Sequence, residues 1–304
     1  MEKYLNRIIT GNCLTRLQNK ENFPDNKIDL IITSPPYADK RAKTYQTVKS
    51  SEYVEWFLPI AQEFKRILKP RGSFILNIKE NVKDFERNTY TYELLLALKE
   101  QGWLWVEEYC WSKSTSFPGY WPNRFRDGWE RVYHFTKEKD IKFYRDAVKV
   151  PIGEWAKKRF NGHEIASDNK RHLSNTGSGL ARKVKNWKGK KKVFPDNILK
   201  QEVGPDNILK QEVDPDNVLK IAPVPNNLEH SAAYPVELPS WFIKLLTRKG
   251  NIVLDPFMGS GTTAIAALRL KRKFIGIDIK SDFNKEAKKR IEKEIKKLEK
   301  KSKK

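Results

Sequence analysis

Cysteine is nearly absent. Two residues, Cys13 and Cys110, occur in 304, too few for a disulfide framework and too far apart for a thiolate metal cluster. The four histidines, at 134, 163, 172 and 230, are scattered as well, so no resident metal is expected. No apolar run reaches the ~18 residues that a membrane span requires, and the N-terminus lacks the pattern of a secretory leader. These absences predict a soluble, cytoplasmic chain with reduced thiols. Acidic residues are also in deficit. Asp and Glu number 38 against 60 Lys and Arg, a formal net charge of +22 with a pI near 9.7. So large an excess excludes an acid-rich surface and points to a polyanionic partner.

What is present is an alternation of short apolar runs and amphipathic stretches. The pattern predicts strands at 6–11, 28–33, 73–78, 103–111 and 129–136, with helices over 51–68 and 91–100 between them. A further strand at 251–254, a helix from Ala264 to Leu270 and a strand at 273–278 follow late in the chain. Strands alternating with helices imply an α/β fold, a mostly parallel twisted sheet with helices on both faces.

Two strand ends carry chemistry. The run Ile28–Ile32 leads into Thr33-Ser34-Pro35-Pro36-Tyr37. Neither proline has an N–H for a sheet ladder, so the strand ends there, and its carbonyls are expected to face outward at the carboxyl edge of the sheet. Hydroxyl, carbonyl acceptors and aromatic face together suit a flat heterocycle with an exocyclic amine. The second strand end is Asp255-Pro256-Phe257-Met258-Gly259-Ser260-Gly261-Thr262-Thr263, ahead of a helix. Glycines let backbone approach a ligand closely, and the helix start offers free N–H groups. The spacing is neither GxxxxGK(S/T) nor GxGxxG. The next strand ends in Asp278, where a carboxylate can accept ribose hydroxyls.

Taken together these residues resemble the β-class DNA amino-methyltransferases, S-adenosylmethionine-dependent enzymes that methylate cytosine N4 or adenine N6. The order of the two motifs, Ser34-Pro35-Pro36-Tyr37 first and the glycine loop near the C-terminus, matches the circularly permuted Rossmann-like arrangement of that class. The segment Gly11-Asn12-Cys13-Leu14 is similar to a family segment that usually has Asp where Asn12 stands. The stretches Trp129–Phe135 and His230–Pro239 also match family segments. The resemblance implies Ser34, Pro35, Pro36 and Tyr37 as catalytic residues. It implies Asp255, Phe257, Gly259, Gly261, Thr262, Asp278, Asn12 and Glu237 around S-adenosyl-L-methionine. Because the Ser-Pro-Pro-Tyr form goes mostly with cytosine, it implies N4-cytosine methylation of duplex DNA, with adenine N6 as the alternative. An RNA or protein amide methyltransferase remains a further alternative, as does a non-catalytic DNA-binding protein on the same scaffold. A restriction-modification context with a cognate endonuclease, and a monomer or homodimer, belong to the same implication.

The domain reading follows. Residues 1–136 form the catalytic half, 137–225 a target-recognition region, 226–285 the cofactor half and 286–304 a Lys-rich helix or tail. Within 137–193, 17 Lys and Arg stand against six acids, a net of +11, with Trp155, Phe160 and Trp187 interleaved. Lys40, Arg41, Arg124, Arg126, Lys157, Lys158, Arg159, Arg182 and Lys183 are the expected DNA contacts. Lys40 and Arg41 fall in a basic loop after the catalytic motif, which is expected to move over bound DNA. A tandem ten-residue repeat over 195–220, opening Pro195-Asp196-Asn197-Ile198-Leu199, reads as an expanded connector.

Overall fold

A computed structural model describes residues 1–39, 48–83, 85–113, 127–151, 192–193, 198–199 and 234–302. The chain divides into two units, Met1–Tyr144 with Asn197–Lys304, and Arg145–Asp196. The second unit, as described, holds a short 3-10 turn at Arg145–Val148 and an antiparallel pair, Val150–Pro151 with Lys192–Val193.

The first unit is built on one sheet. Its strands are β1 (Arg7–Thr10), β2 (Ile28–Thr33), β3 (Leu68–Ile78), β4 (Leu104–Ser112), β5 (Trp129–Thr136), β6 (Ile198–Leu199), β7 (Ile252–Asp255) and β8 (Lys273–Asp278). Their order across the sheet is β1-β8-β7-β2-β3-β5-β4-β6. Pairings are parallel except where β5 meets β3 and β4. The helices are α1 (Cys13–Leu17), α2 (Tyr53–Ile67), α3 (Tyr90–Glu100), α4 (Glu237–Leu246), α5 (Thr262–Arg269) and α6 (Ser281–Ser302). The expected mostly parallel α/β sheet with permuted motif order is therefore present.

Every residue of β2 is buried, as an apolar run in a central parallel strand requires. Helix α2 buries Tyr53, Phe57, Ile60, Ala61, Phe64 and Ile67, a stripe at helical spacing. Phe64 and Phe74 meet edge-on at 5.2 Å, tying that helix to β3. Helices α1, α2 and α3 share one core, whereas α4, α5 and α6 pack together on the other side.

The decisive neighbours are β2 and β7. Val253 and Leu254 register with Leu30 and Ile31, so strands more than 220 positions apart lie side by side. From this pair the chain runs outward both ways, β2 to β3 and β7 to β8. A crevice at such a switch point is where open α/β sheets bind ligands.

Several elements differ from the sequence reading, and one is β3, which starts at Leu68, five residues before the predicted strand. Helix α1 is too short for periodicity to reveal. Ile198–Leu199, inside the first repeat copy, forms an edge strand against Cys110 and Trp111; the other positions of the repeat lie outside the described residues. Helix α6 begins at Ser281 and is more than a Lys-rich tail, because Ala287 and Ile291 are buried and Arg290 donates to the Ser260 carbonyl at 2.7 Å. Among the described residues, no helix is long and apolar enough to cross a membrane, and no three His, Cys, Asp or Glu side chains cluster as a metal site.

Candidate active site

The chain leaving β2 is held by a side chain of α2. Tyr53, buried on α2, donates its hydroxyl to the Pro36 carbonyl at 2.8 Å. That corrects the expectation that both proline carbonyls face outward: the oxygen of half-buried Pro36 is held by the protein. Among the described residues, no hydrogen-bond donor reaches the Pro35 carbonyl. Ser34 is half-buried, and its hydroxyl donates to Tyr37 Oη at 3.3 Å. Tyr37 donates in turn to Glu130 Oε2 at 2.7 Å.

Glu130 is only 8% exposed. Lys113 pairs with its Oε1, and Asn77 Nδ2 donates to Oε2 at 3.2 Å. Burial alone would push its carboxyl up, but Lys113, Lys79 and the Tyr37 hydroxyl together bring it below the ordinary carboxylate value. The Tyr37 phenol moves the other way, well above its ordinary value, through burial and then the Glu130 charge. Glu130 also lines a cleft of about 250 Å³ whose walls include Lys79, Glu80, Arg87, Asp127 and Arg131. Their charges are compensated: Arg87 pairs with Glu80 and Asp127, and Arg131 with Glu108.

Across the crevice, Asp255 closes β7 at 1% exposure. Thr33 Oγ1 donates to its Oδ1 at 2.7 Å and the Phe257 N–H at 3.1 Å. Thr263 donates to Oδ2 at 2.6 Å, and the single hydrogen of the Tyr234 hydroxyl is shared between Oδ2 at 3.1 Å and Thr263 Oγ1 at 2.5 Å. Burial raises the Asp255 pKa, and the donors from Thr263, Thr33, Phe257 and Tyr234 counter that only in part. Both carboxylate oxygens are thus occupied by protein donors, and the side chain ties the two motifs together.

The glycine loop is held at four points. Asp278 Oδ2 accepts the Gly259 N–H at 2.8 Å, Ile277 accepts the Met258 N–H at 2.9 Å, Asp255 accepts Phe257, and Arg290 holds the Ser260 carbonyl. Gly259 and Gly261 have positive φ of 52° and 84°. A Cβ on Gly261 would meet the Ala287 Cβ at 3.1 Å and would strain the positive-φ backbone, so glycine lets α6 lie close against the loop. At Gly259 a Cβ would meet nothing within 4 Å, so the chain leaves space over this turn. The Thr262 hydroxyl, buried at the start of α5, has no hydrogen-bond partner among the described residues. A fixed, open glycine turn beside an unpaired hydroxyl and a helix N-terminus fits the methionine end of S-adenosylmethionine.

This geometry, two polar strand ends meeting at one switch point, agrees with comparison to known proteins. A family model described as DNA methylase, for N6 and N4 methyltransferases, matches residues 28–289. The chain belongs to this family of DNA methylases. The methylase is 29% identical over 289 residues to the type II methyltransferase M.PvuII of Proteus hauseri, covering 88% of this chain and 79% of that protein. To the type II methyltransferase M.BglII of Bacillus subtilis it is 27% identical over 289 residues, covering 93% and 68%. Among solved structures, the cytosine-N4-specific PvuII DNA methyltransferase matches with a TM-score of 0.63 at 24% identity, over 92% of this chain and 84% of that one. The M1.HpyAVI–SAM complex matches at 0.53 and 21% identity, over 93% and 98%. These structural likenesses establish the fold.

The remaining site residues of the methylase divide clearly. Asn12 Oδ1 accepts the Thr15 N–H at 3.3 Å and caps α1. Asp278 also accepts the Lys280 N–H at 2.9 Å. Glu237 stands exposed in the first turn of α4. Phe257 is half-buried, its ring 5.9 Å from that of Trp56. Lys40, Arg41, Arg124, Arg126, Lys157, Lys158, Arg159, Arg182 and Lys183 lie outside the described residues. Sequence reasoning missed Tyr53, Asn77, Lys113, Glu130 and Tyr234. Glu130 and Tyr234 lie inside the segments Trp129–Phe135 and His230–Pro239 that resemble the family, but nothing in the local pattern singles either out.

Proposed function

We propose that this methylase transfers a methyl group from S-adenosyl-L-methionine to the exocyclic N4 of a cytosine extruded from duplex DNA, in the manner of a restriction-modification methyltransferase. The observation that carries the reading is Ser34: a neutral hydroxyl at the carboxyl edge of β2, across the crevice from the glycine loop, with its hydrogen directed to Tyr37. Its lone pairs stay available to an amine. M.PvuII, whose solved counterpart is titled cytosine-N4-specific, supports the choice of base.

S-adenosylmethionine, bound at the loop, supplies an electrophilic methyl group. Gly259, Gly261, Thr262 and Phe257 would hold its methionine end and Asp278, with Asn12 and Glu237 nearby, its nucleoside. Asp255 contributes by fixing the loop against the catalytic strand.

The cytosine amino nitrogen is a weak nucleophile because its lone pair is delocalised into the ring. Ser34 Oγ and the Pro35 carbonyl accept its two hydrogens, favouring a pyramidal nitrogen with a localised pair. The Tyr37 ring stacks on the extruded base, offsetting the few kcal/mol lost in unstacking it. Positioned acceptors, rather than a strong base, carry the rate, because the proton can leave after transfer. The basic positions from Lys40 to Lys183 named above would neutralise DNA phosphates, which agrees with the net charge of +22.

The test is transfer of labelled methyl from S-adenosylmethionine to unmodified duplex DNA, with an excess of duplex RNA as competitor. Label in DNA that RNA does not suppress supports the reading. Label in RNA or in protein, with none in DNA, overturns it.

A further inference from the structure

Glu130 lies in no catalytic motif, yet its carboxylate is the end of a directed chain. Among the described residues, everything that reaches it is a donor: Tyr37 at 2.7 Å, Asn77 Nδ2 at 3.2 Å and the Lys113 ammonium. A carboxylate so surrounded can only accept. The Tyr37 proton is therefore committed to Glu130, and the phenol oxygen is left to accept. Ser34 fills that role from 3.3 Å, a long contact of the kind that tightens when a site is loaded. With its own hydrogen committed to Tyr37, Ser34 faces the target site as an acceptor.

The direction matters chemically. An exocyclic amine needs acceptors for its hydrogens. A Ser34 hydroxyl free to rotate would instead donate to the nitrogen, occupying the electron pair that must attack the methyl group. A glutamine at 130 could donate to Tyr37 and reverse the whole chain.

We propose that Glu130 is a positioning residue for methyl transfer, acting through Tyr37 to hold Ser34 as a hydrogen-bond acceptor. The proposal rests on the amino-methyltransferase reading above and assigns a residue that the catalytic motif does not contain. A purely structural alternative exists, since Glu130 also neutralises half-buried Lys113.

A double-mutant cycle separates the two. Single-turnover methyl transfer to unmodified duplex DNA is measured for the full-length wild type, Glu130→Gln, Tyr37→Phe and the double variant, with cofactor affinity measured alongside. Tyr37→Phe keeps the stacking ring and touches no charge, so it stays informative if Glu130→Gln folds poorly. The expected result is a rate loss of roughly 10- to 100-fold for each single variant, the range typical of residues that orient a reacting group through another. Cofactor dissociation constants should stay within about twofold, and the double variant should be no slower than the slower single, because one chain is broken only once. A wild-type rate in Tyr37→Phe, or losses that multiply in the double variant, would overturn the proposal. The nucleoside formed by the wild type reports the base independently. Methylated adenine would end the cytosine reading, and the variant ratios would then be read on adenine.

Discussion

Thr33 donates a 2.7 Å hydrogen bond to Asp255, a residue 222 positions later in the chain. One belongs to the catalytic strand end and the other to the cofactor strand end, and the bond is buried. It ties together the two strand ends proposed to hold methyl acceptor and methyl donor. Replacing Thr33 with valine keeps the shape and removes the donor, leaving a buried carboxylate oxygen short of a partner. The expected cost is about 1–3 kcal/mol, seen as a lower midpoint in urea unfolding. An unchanged midpoint would mean that the bond contributes nothing to joining the halves.

Ser34→Ala removes the acceptor proposed to face the amine and leaves the glycine loop untouched. The rate of transfer should fall by roughly 100-fold or more, as when one preorganised partner of a developing charge is deleted. Binding of S-adenosylmethionine, followed by calorimetry, should stay within about twofold. Full turnover in the variant would remove Ser34 from the mechanism.

Asp278→Ala should act on the cofactor instead. It releases the Gly259 N–H, now bound at 2.8 Å, and takes away the acceptor proposed for the ribose. Affinity for S-adenosylmethionine should drop on the order of tenfold or more. If the dissociation constant does not move, Asp278 is not part of the cofactor site.

His134 makes a prediction about pH. It is fully buried on β5, bonded through Nε2 to Ser73 Oγ at 2.9 Å, and burial pushes its pKa down to about 3. An unfolded histidine titrates near 6.5. The folded state therefore keeps His134 neutral where the unfolded chain takes up a proton. Its contribution is fully present above pH 6.5 and declines as pH falls toward 3, by up to about 1.4 kcal/mol per pH unit. Unfolding free energies of wild type and His134→Gln, measured from pH 7 to 4.5, should converge as pH falls. Parallel curves would show that His134 does not stay neutral in the fold.

Much of the fold was legible because local pattern and tertiary role coincide in these strands. The spans 28–33 and 273–278 end where the apolar runs end. Buried parallel strands have no polar face to confuse their limits. Helix α1 and the edge strand Ile198–Leu199 were not legible, since five and two residues fall below any period. At the site, the motifs located the two strand ends, but not which way their polar atoms turn. Asp255 and Pro36 look outward-facing as residue types and are instead satisfied from within, by Thr33, Thr263, Tyr234 and Tyr53. Those partners come from distant segments, and hydrogen bonds across 222 positions leave no mark on either local pattern. Glu130 shows the same limit.

The acceptor pair at Ser34 and Pro35 is proposed to serve a cytosine amine. The most direct measurement is mass analysis of nucleosides from duplex DNA methylated by the chain with isotopically labelled S-adenosylmethionine. The account predicts N4-methylcytosine carrying the label. Label in N6-methyladenine, with none in cytosine, would contradict it.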